Sequence, residues 1–263
     1  MAINSKSNLT FPADKPGRNT TVRPSAAPEW LKPTLRARTE HMVDTLAGPL
    51  KKEVHRLHKP QAQEVPEVRR KKAAAVLVAL AGEEQEDASV LLTHRSPSMR
   101  SHSGQIAFPG GRIDPDDVNV VDAALREANE ETGLDREAVT PLAVFGELYI
   151  GVTGNPVFPV LAHWHSDTPV GVASPFETDD VFQVPMRELA KPTNRLMVGY
   201  KGRHGRDWHG PAFWHEGYLI WGFTGAVLSS LMHQSGWEIP WDQDTVSDLP
   251  DILVQSRNNE VIR

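Results

Sequence analysis

Nine consecutive apolar residues at positions 73–81 (AAAVLVALA) stand out in a chain that is otherwise well mixed. The run is far too short to cross a bilayer, which takes about 20 apolar residues in a helix. It has the length of a strand. A polar stretch, residues 82–87, separates it from a second strand at 89–93 (SVLLT). Residues 142–150 and 157–164 read as two more, joined by the turn residues of 151–156. Residues 180–185 predict a short strand entering a helical turn at 186–189, and 218–232 a strand or turn running into a helix. Strands alternating with helices, mostly without hairpin signals, imply a layered α/β or α+β domain over roughly residues 70–235.

The flanks have a different character. Residues 1–26 are rich in Ser, Asn, Thr, Pro and Lys without periodicity, which predicts a disordered tail. Residues 28–48 predict a helix with Trp30, Leu31, Leu35, Met42, Val43 and Leu46 as its apolar set. The mixed-charge stretch 49–70 reads as a connector, so 27–70 forms a helix-and-connector unit. Residues 236–263 are polar and predict a loosely attached tail.

Composition excludes several chemistries. The 263 residues contain no cysteine, so disulfides, thiolate catalysis and cysteine-ligated metal sites are out. A formal net charge of −6 gives no support to nucleic-acid or anionic-membrane binding. The basic stretch at 69–72 is short and abuts a strand. Residues 1–25 lack the apolar segment of a signal peptide, so a soluble cytoplasmic protein is expected.

The most informative segment is residues 110–134, GGRIDPDDVNVVDAALREANEETGL. Asn119 can cap a helix, with Asp122 in a capping-box-like relation, and Gly133 sits where a left-handed residue should end it. Val121, Ala124, Leu125 and Ala128 form one narrow apolar face. Glu127, Glu130 and Glu131 share an adjacent face in the half of the helix whose dipole disfavours anions. Arg126 points to another side and no basic residue within the helix can neutralise all three. A hard divalent cation, Mg²⁺ or Mn²⁺, suits such an all-oxygen cluster. A solvated acidic helix end is the plainer alternative. Against it stands the preceding loop, where Gly110 and Gly111 can bring bare backbone close to a ligand and Asp114, Asp116 and Asp117 add oxygens.

Residues 126–134 (REANEETGL) match the REUxEExGU end of the Nudix box, where U is aliphatic, and the chain is identified as resembling the Nudix hydrolases. The register departs from the general pattern: Gly111 and Asp117 restore it only with one residue inserted before Arg126 and Asp in place of Glu. The upstream residues Leu91–Ser96 (LLTHRS), Arg100, His102 and Gly104–Gly111 (GQIAFPGG) resemble the signature of the coenzyme A pyrophosphatase branch. So do Asp114 and Asp117 after the double glycine, Val157–Val160 (VFPV), Glu177 ahead of Val181–Pro185 (VFQVP), and Ile220–Gly222 (IWG).

The resemblance implies a Nudix fold, a mixed β-sheet sandwiched between helices, over residues 71–235. It implies metal-dependent hydrolysis of coenzyme A or its derivatives to 3′,5′-ADP and 4′-phosphopantetheine. Glu127, Glu131 and a Gly111 carbonyl are the expected metal ligands, and Arg126 pairs with a carboxylate of the box. Glu130 is a third ligand or a base, and Glu177 a base or ligand brought from outside the helix. Arg95, Arg100, His102 and Gln105 are the expected substrate contacts, guanidinium forks being suited to phosphate. Other nucleoside diphosphate derivatives (ADP-ribose, NADH, dinucleoside polyphosphates) are the alternative substrates, and a non-catalytic nucleotide sensor is the alternative class. A homodimer is expected only by analogy with other Nudix proteins. The remaining histidines, His163, His165, His204, His209 and His215, lack metal-motif spacing. Trp208, Trp214, Trp221 and Phe223 read as core-strand aromatics or, less simply, as a wall for a pantetheine arm.

Overall fold

A computed structural model describes residues 19–36, 73–99, 101–146, 148–149, 155–165, 168–201 and 207–260. The apolar run forms β1 (Ala74–Ala81), the central strand of an eight-stranded mixed sheet. One edge pairs antiparallel with β2 (Ser89–Arg95) and, through the stretch from Ala74 to Val76, with β4 (Gly110–Arg112). The other runs parallel to β7 (Pro156–Trp164) along its whole length. β3 (Ile106–Ala107) and β8 (Thr178–Pro185) pair with β2, while β5 (Val139–Val144) and β6 (Leu148–Tyr149) pair with β7. The single strand expected over 142–150 is thus two, with Phe145 bonded through its N–H to the Pro159 carbonyl between them.

A strand with every residue apolar has to be covered on both faces. Ala75, Leu77 and Ala79 point to one side, where they meet Val121, Ala124, Leu125 and Ala128. These belong to the helix Val120–Thr132, α2, which follows a short α1 (Lys32–Arg36) in the chain. Val78 and Leu80 point to the other side, onto Val227, Leu228 and Leu231. After α3 (Met186–Ala190), those residues form α4 (Gly222–Ser235). The sheet therefore lies between helices, the expected α/β arrangement.

Two flanking segments differ from expectation. Residues 19–26 are ordered against the sheet rather than forming a disordered tail: Asn19 Nδ2 donates to the Val139 carbonyl at 2.8 Å and the Arg23 N–H to Pro141 at 2.8 Å. The edge of β5 presents unpaired carbonyls, and a polar segment that supplies donors satisfies them. Beyond it, Trp30 and Leu31 are buried on the α4 side, and Thr34 Oγ1 meets Ser235 Oγ at 2.5 Å. Residues 1–18, the rest of the expected helix at 37–48 and the connector at 49–70 lie outside the described residues.

Residues 236–260 are likewise built into the fold rather than forming a loose tail. β12 (Val246–Asp248) lies parallel to β9 (Arg195–Tyr200) at the edge of a second, four-stranded sheet. The sheet is completed by β10 (Trp208–His215) and β11 (Tyr218–Ile220), in the order β11-β10-β9-β12. Leu249 and Leu253, one turn apart on α5 (Leu249–Val254), pack on Val198, Ala212 and Leu219. The buried Arg195 guanidinium pairs with Glu238 at 2.9 Å and lies 4.2 Å from the centre of the Trp241 ring. Few apolar residues fasten this segment, but each is spaced to reach the sheet.

Candidate active site

The ends of α2 follow the sequence signals. Asn119 Oδ1 accepts from the N–H groups of Val121 (2.9 Å) and Asp122 (3.0 Å), satisfying two donors that the first turn leaves orphaned. Asp122 reaches back to the Val118 N–H, one residue earlier than a regular capping box, and pairs with Arg136 at 2.5 Å. Gly133, at φ 70°, closes the helix with its N–H on the Asn129 carbonyl at 2.8 Å. Both ends are thus pinned, and the register of the carboxylates against β1 and β4 is set.

Within that register the three glutamates have different surroundings. The Glu131 side chain is only 3% exposed; its Oε2 accepts the Gly110 N–H at 3.0 Å, and Arg95 Nη1 lies 3.6 Å from Oε1. Burial raises the Glu131 pKa to about 7 against the pull of Arg95 and of the Gly110 N–H. The Glu127 carboxyl is also pushed above its ordinary range by burial, which outweighs Arg126. Glu127 raises Glu131, Glu130 raises Glu127, and Glu177 raises both. Glu130 is more open, at 56% exposed, and takes a 3.1 Å bond from Arg126 Nη1.

Arg126 does not point away from the cluster, as its place on the helical wheel suggested. Its Nε and Nη2 form two parallel 2.9 Å bonds to Asp117, while Nη1 reaches Glu127 at 3.0 Å as well as Glu130. Nη2 also donates to the Arg112 carbonyl at 3.0 Å. Asp117 is almost wholly buried and is fixed by the Asp114 N–H at 2.7 Å. The expected pairing of Arg126 with a carboxylate is present, and Asp117, the residue that departs from the box pattern, is its main partner. The long guanidinium arm reaches two faces at once.

The loops complete the neighbourhood. A Cβ at Gly111 would fall 2.5 Å from Cδ and 2.6 Å from Oε1 of Glu127, so bare backbone and carboxylate share one space. Glu177 sits on an exposed loop held to α2 by bonds from the Gly171 and Ala173 N–H groups to the carbonyls of Thr132 and Glu131. Its own carbonyl accepts the Ser96 N–H at 2.8 Å, tying it to the end of β2. Phe176 beside it is 89% exposed. His102 has a left-handed backbone, φ 55°, and its Nδ1 lies 3.0 Å from Gln105 Oε1. Gln105 Nε2 donates to Glu260 at 2.7 Å. Arg100 lies outside the described residues.

The structure thus gathers Glu127, Glu131, Gly111, Glu177 and Arg95 around one end of α2 and places His102 and Gln105 on the adjoining loop. Glu260 was not anticipated: an acidic residue in an aperiodic polar stretch carries no local signal. Among the described residues, no three carboxylates or imidazoles converge closely enough to form a ready-made metal cage. The donor chemistry nevertheless fits a hard divalent ion: two buried like-charged carboxylates, a third nearby, and a glycine backbone with no Cβ. Away from this site, His163 Nε2 bonds the Gly82 carbonyl at 3.1 Å, and Trp208 stacks edge-on to Trp221, as structural residues do.

The family model for the NUDIX domain matches residues 71–198. The chain is 36% identical over 165 residues to "Uncharacterized Nudix hydrolase NudL" of Cronobacter sakazakii, spanning 62% of this chain and 82% of that protein. A protein of the same name from Klebsiella pneumoniae is 36% identical over 171 residues, with the same shares covered. Among solved structures, the Nudix hydrolase RenU of M. smegmatis is 27% identical with a TM-score of 0.38, covering 46% of this chain and 74% of that one. The chain belongs to the Nudix hydrolase family, whose members act on phosphorus-containing anhydrides. Nudix hydrolases generally use divalent metal ions, and the substrate here is a pyrophosphate compound. Among the described residues no helix is long and apolar enough to cross a membrane.

Proposed function

We propose that this Nudix hydrolase cleaves the diphosphate of coenzyme A or its acyl derivatives, giving 3′,5′-ADP and 4′-phosphopantetheine, acylated where the substrate is a thioester. The observation that carries the reading is the approach of Arg95 to Glu131 at 3.6 Å. It joins the upstream loop, whose residues resemble the coenzyme A pyrophosphatase signature, to the carboxylate helix.

In this reading Glu127, Glu131 and the Gly111 carbonyl hold Mg²⁺ or Mn²⁺. The ion supplies charge neutralisation of the diphosphate and acidification of bound water. Glu177, or Glu130, accepts the proton of the attacking water; both are exposed enough to pass it on to solvent. Arg95 and Arg100 pair with phosphate oxygens, and more than one cation is called for because coenzyme A carries a 3′-phosphate besides its diphosphate. His102 and Gln105 add hydrogen bonds from the same loop. Arg126 and Asp117 orient Glu127 without touching substrate.

The test is a substrate comparison with purified protein, Mg²⁺ or Mn²⁺, and coenzyme A, ADP-ribose, NADH and dinucleoside polyphosphates, with products separated by chromatography. Release of 3′,5′-ADP from coenzyme A in marked preference to the others is the expected result. Turnover of another compound with coenzyme A untouched would leave the carboxylate helix as read and overturn the reading of the loop.

A further inference from the structure

Residues 255–260 lie outside the segment that the family model matches, yet they run directly under the loop assigned to substrate. Asn258 is fully buried and clamps β11 through both ends of its amide: the Leu219 N–H donates to Oδ1 and Nδ2 donates to the Leu219 carbonyl, each at 2.9 Å. Its own carbonyl lies 2.9 Å from His94 Nε2. A Cβ at Gly104 would press on that carbonyl and approach Asn259 C and Glu260 Cα at 3.1 Å. Only a glycine at φ 75° lets the two backbones come so close.

This clamp delivers Glu260 to the loop. One carboxylate oxygen accepts Trp221 Nε1–H at 2.9 Å, and the other accepts Gln105 Nε2–H at 2.7 Å. An ionised carboxylate only accepts, so it fixes which end of the Gln105 amide is the donor. Gln105 Oε1 is then turned to His102 Nδ1, 3.0 Å away, and an amide oxygen can only accept. Nδ1 therefore carries the proton, and Nε2 is the nitrogen left to meet a ligand. A hydrogen bond on one ring nitrogen sets the tautomer of the other in this way, here at an exposed ring.

We infer that Glu260 is a positioning residue for substrate binding: through Gln105 it holds His102 in the Nδ1–H form and presents the Nε2 lone pair as an acceptor to a hydroxyl or N–H group of the substrate. The inference rests on the reading of the 95–105 loop as a substrate contact. It extends the working site to a residue more than 150 positions downstream of Gln105.

The experiment uses the full chain and Glu260→Gln, an isosteric change that keeps one acceptor but lets the Gln105 amide turn over. Two quantities are read: the His102 ring ¹⁵N shifts, which report the tautomer, and KM and kcat for coenzyme A. The expected result is a single Nδ1–H form in the parent and a mixture in the variant, with KM raised about five- to tenfold and kcat within twofold. Trp221→Phe, which cuts the other bond to Glu260 and leaves Gln105 attached, should change neither. Unchanged His102 shifts in Glu260→Gln overturn the inference. So does an equal effect of both variants accompanied by a fall in melting temperature, which marks plain packing. If the parent leaves coenzyme A intact, the substrate reading fails, while the ring shifts still decide whether Glu260 sets the tautomer.

Discussion

Adding one methyl group at Gly111 separates the site from the fold. The new Cβ would stand 2.5 Å from the carboxyl carbon of Glu127, against an ordinary contact of 3.4 Å, so the carboxylate has to retreat by about 0.9 Å. Displacements of about 1 Å in a catalytic group cost on the order of a hundredfold in rate. The fold itself has little to lose. Gly111 pairs with Ala75 in β4, and an alanine there gains about 0.4–1 kcal/mol from a less flexible unfolded chain. The offsetting loss is the partly exposed Arg126–Glu127 bond, worth about 1 kcal/mol. Gly111→Ala should therefore melt within a few degrees of the parent while its kcat falls about a hundredfold. A melting curve with divalent metal adds a second readout. The parent gains about 2.7 kcal/mol at a hundred times its Kd, and the variant gains much less. Gly110→Ala is the contrast, because its Cβ would lie 2.6 Å from Val76 Cα and press on the Ala75 carbonyl, both backbone of the central strand, at φ 156°. That variant should lose its cooperative transition. Parent-like turnover in Gly111→Ala, or equal destabilisation of the two variants, would refute the reasoning.

Arg126→Ala leaves the buried Asp117 carboxylate without its two parallel bonds and should lower stability by about 3–5 kcal/mol in urea titrations; Arg126→Lys should recover less than half. A loss under 1 kcal/mol for the alanine variant would contradict the anchoring role. Phe176, 89% exposed beside Glu177, has little packing to lose, so Phe176→Ala should leave the melting temperature within about 2 °C of the parent; a larger fall rejects this. Burial holds the His163 imidazole below its ordinary value of 6.5, so the fold favours the neutral ring. The stability this gives is present above pH 6.5 and is lost as pH falls from there toward the folded value. His163→Gln should flatten that decline between pH 6.5 and 5, and an identical slope in parent and variant would show that other groups cause it.

What could be read from the sequence was local. Asn119 and Gly133 bound α2 because a cap and a left-handed stop are each written within a few residues, and the Glu127 and Glu131 face follows from helical spacing alone. The apolar run at β1 announces itself because no polar residue interrupts it. β9 and β10 do not announce themselves as strands, since Arg195, His209 and Gly210 break any alternation even though β9, β10 and β11 pair as chain neighbours. Residues 19–26 reach the carbonyls of β5 through the Asn19 amide and the Arg23 main-chain N–H, and polarity without period looks the same whether a segment is bonded to a sheet edge or to water.

The site shows the same boundary more sharply. The sequence shows that three glutamates crowd one helix end, and from this alone a compensating positive charge can be inferred, but not its source. Part of it comes from Arg126, whose reach around the helix depends on Asp117 standing where the box pattern has glutamate. Part comes from Arg95 at the end of β2, which β8 and β3 flank and bring to Glu131. Neither contribution reaches all three carboxylates, and Glu131 and Glu127 both keep raised pKa values. Retaining buried, incompletely paired carboxylates against a glycine backbone lowers the stability of the metal-free chain. In the proposed site, binding of a divalent ion by Glu127 and Glu131 would offset that penalty, and the same residual charge that weakens the fold would provide the attraction for the ion.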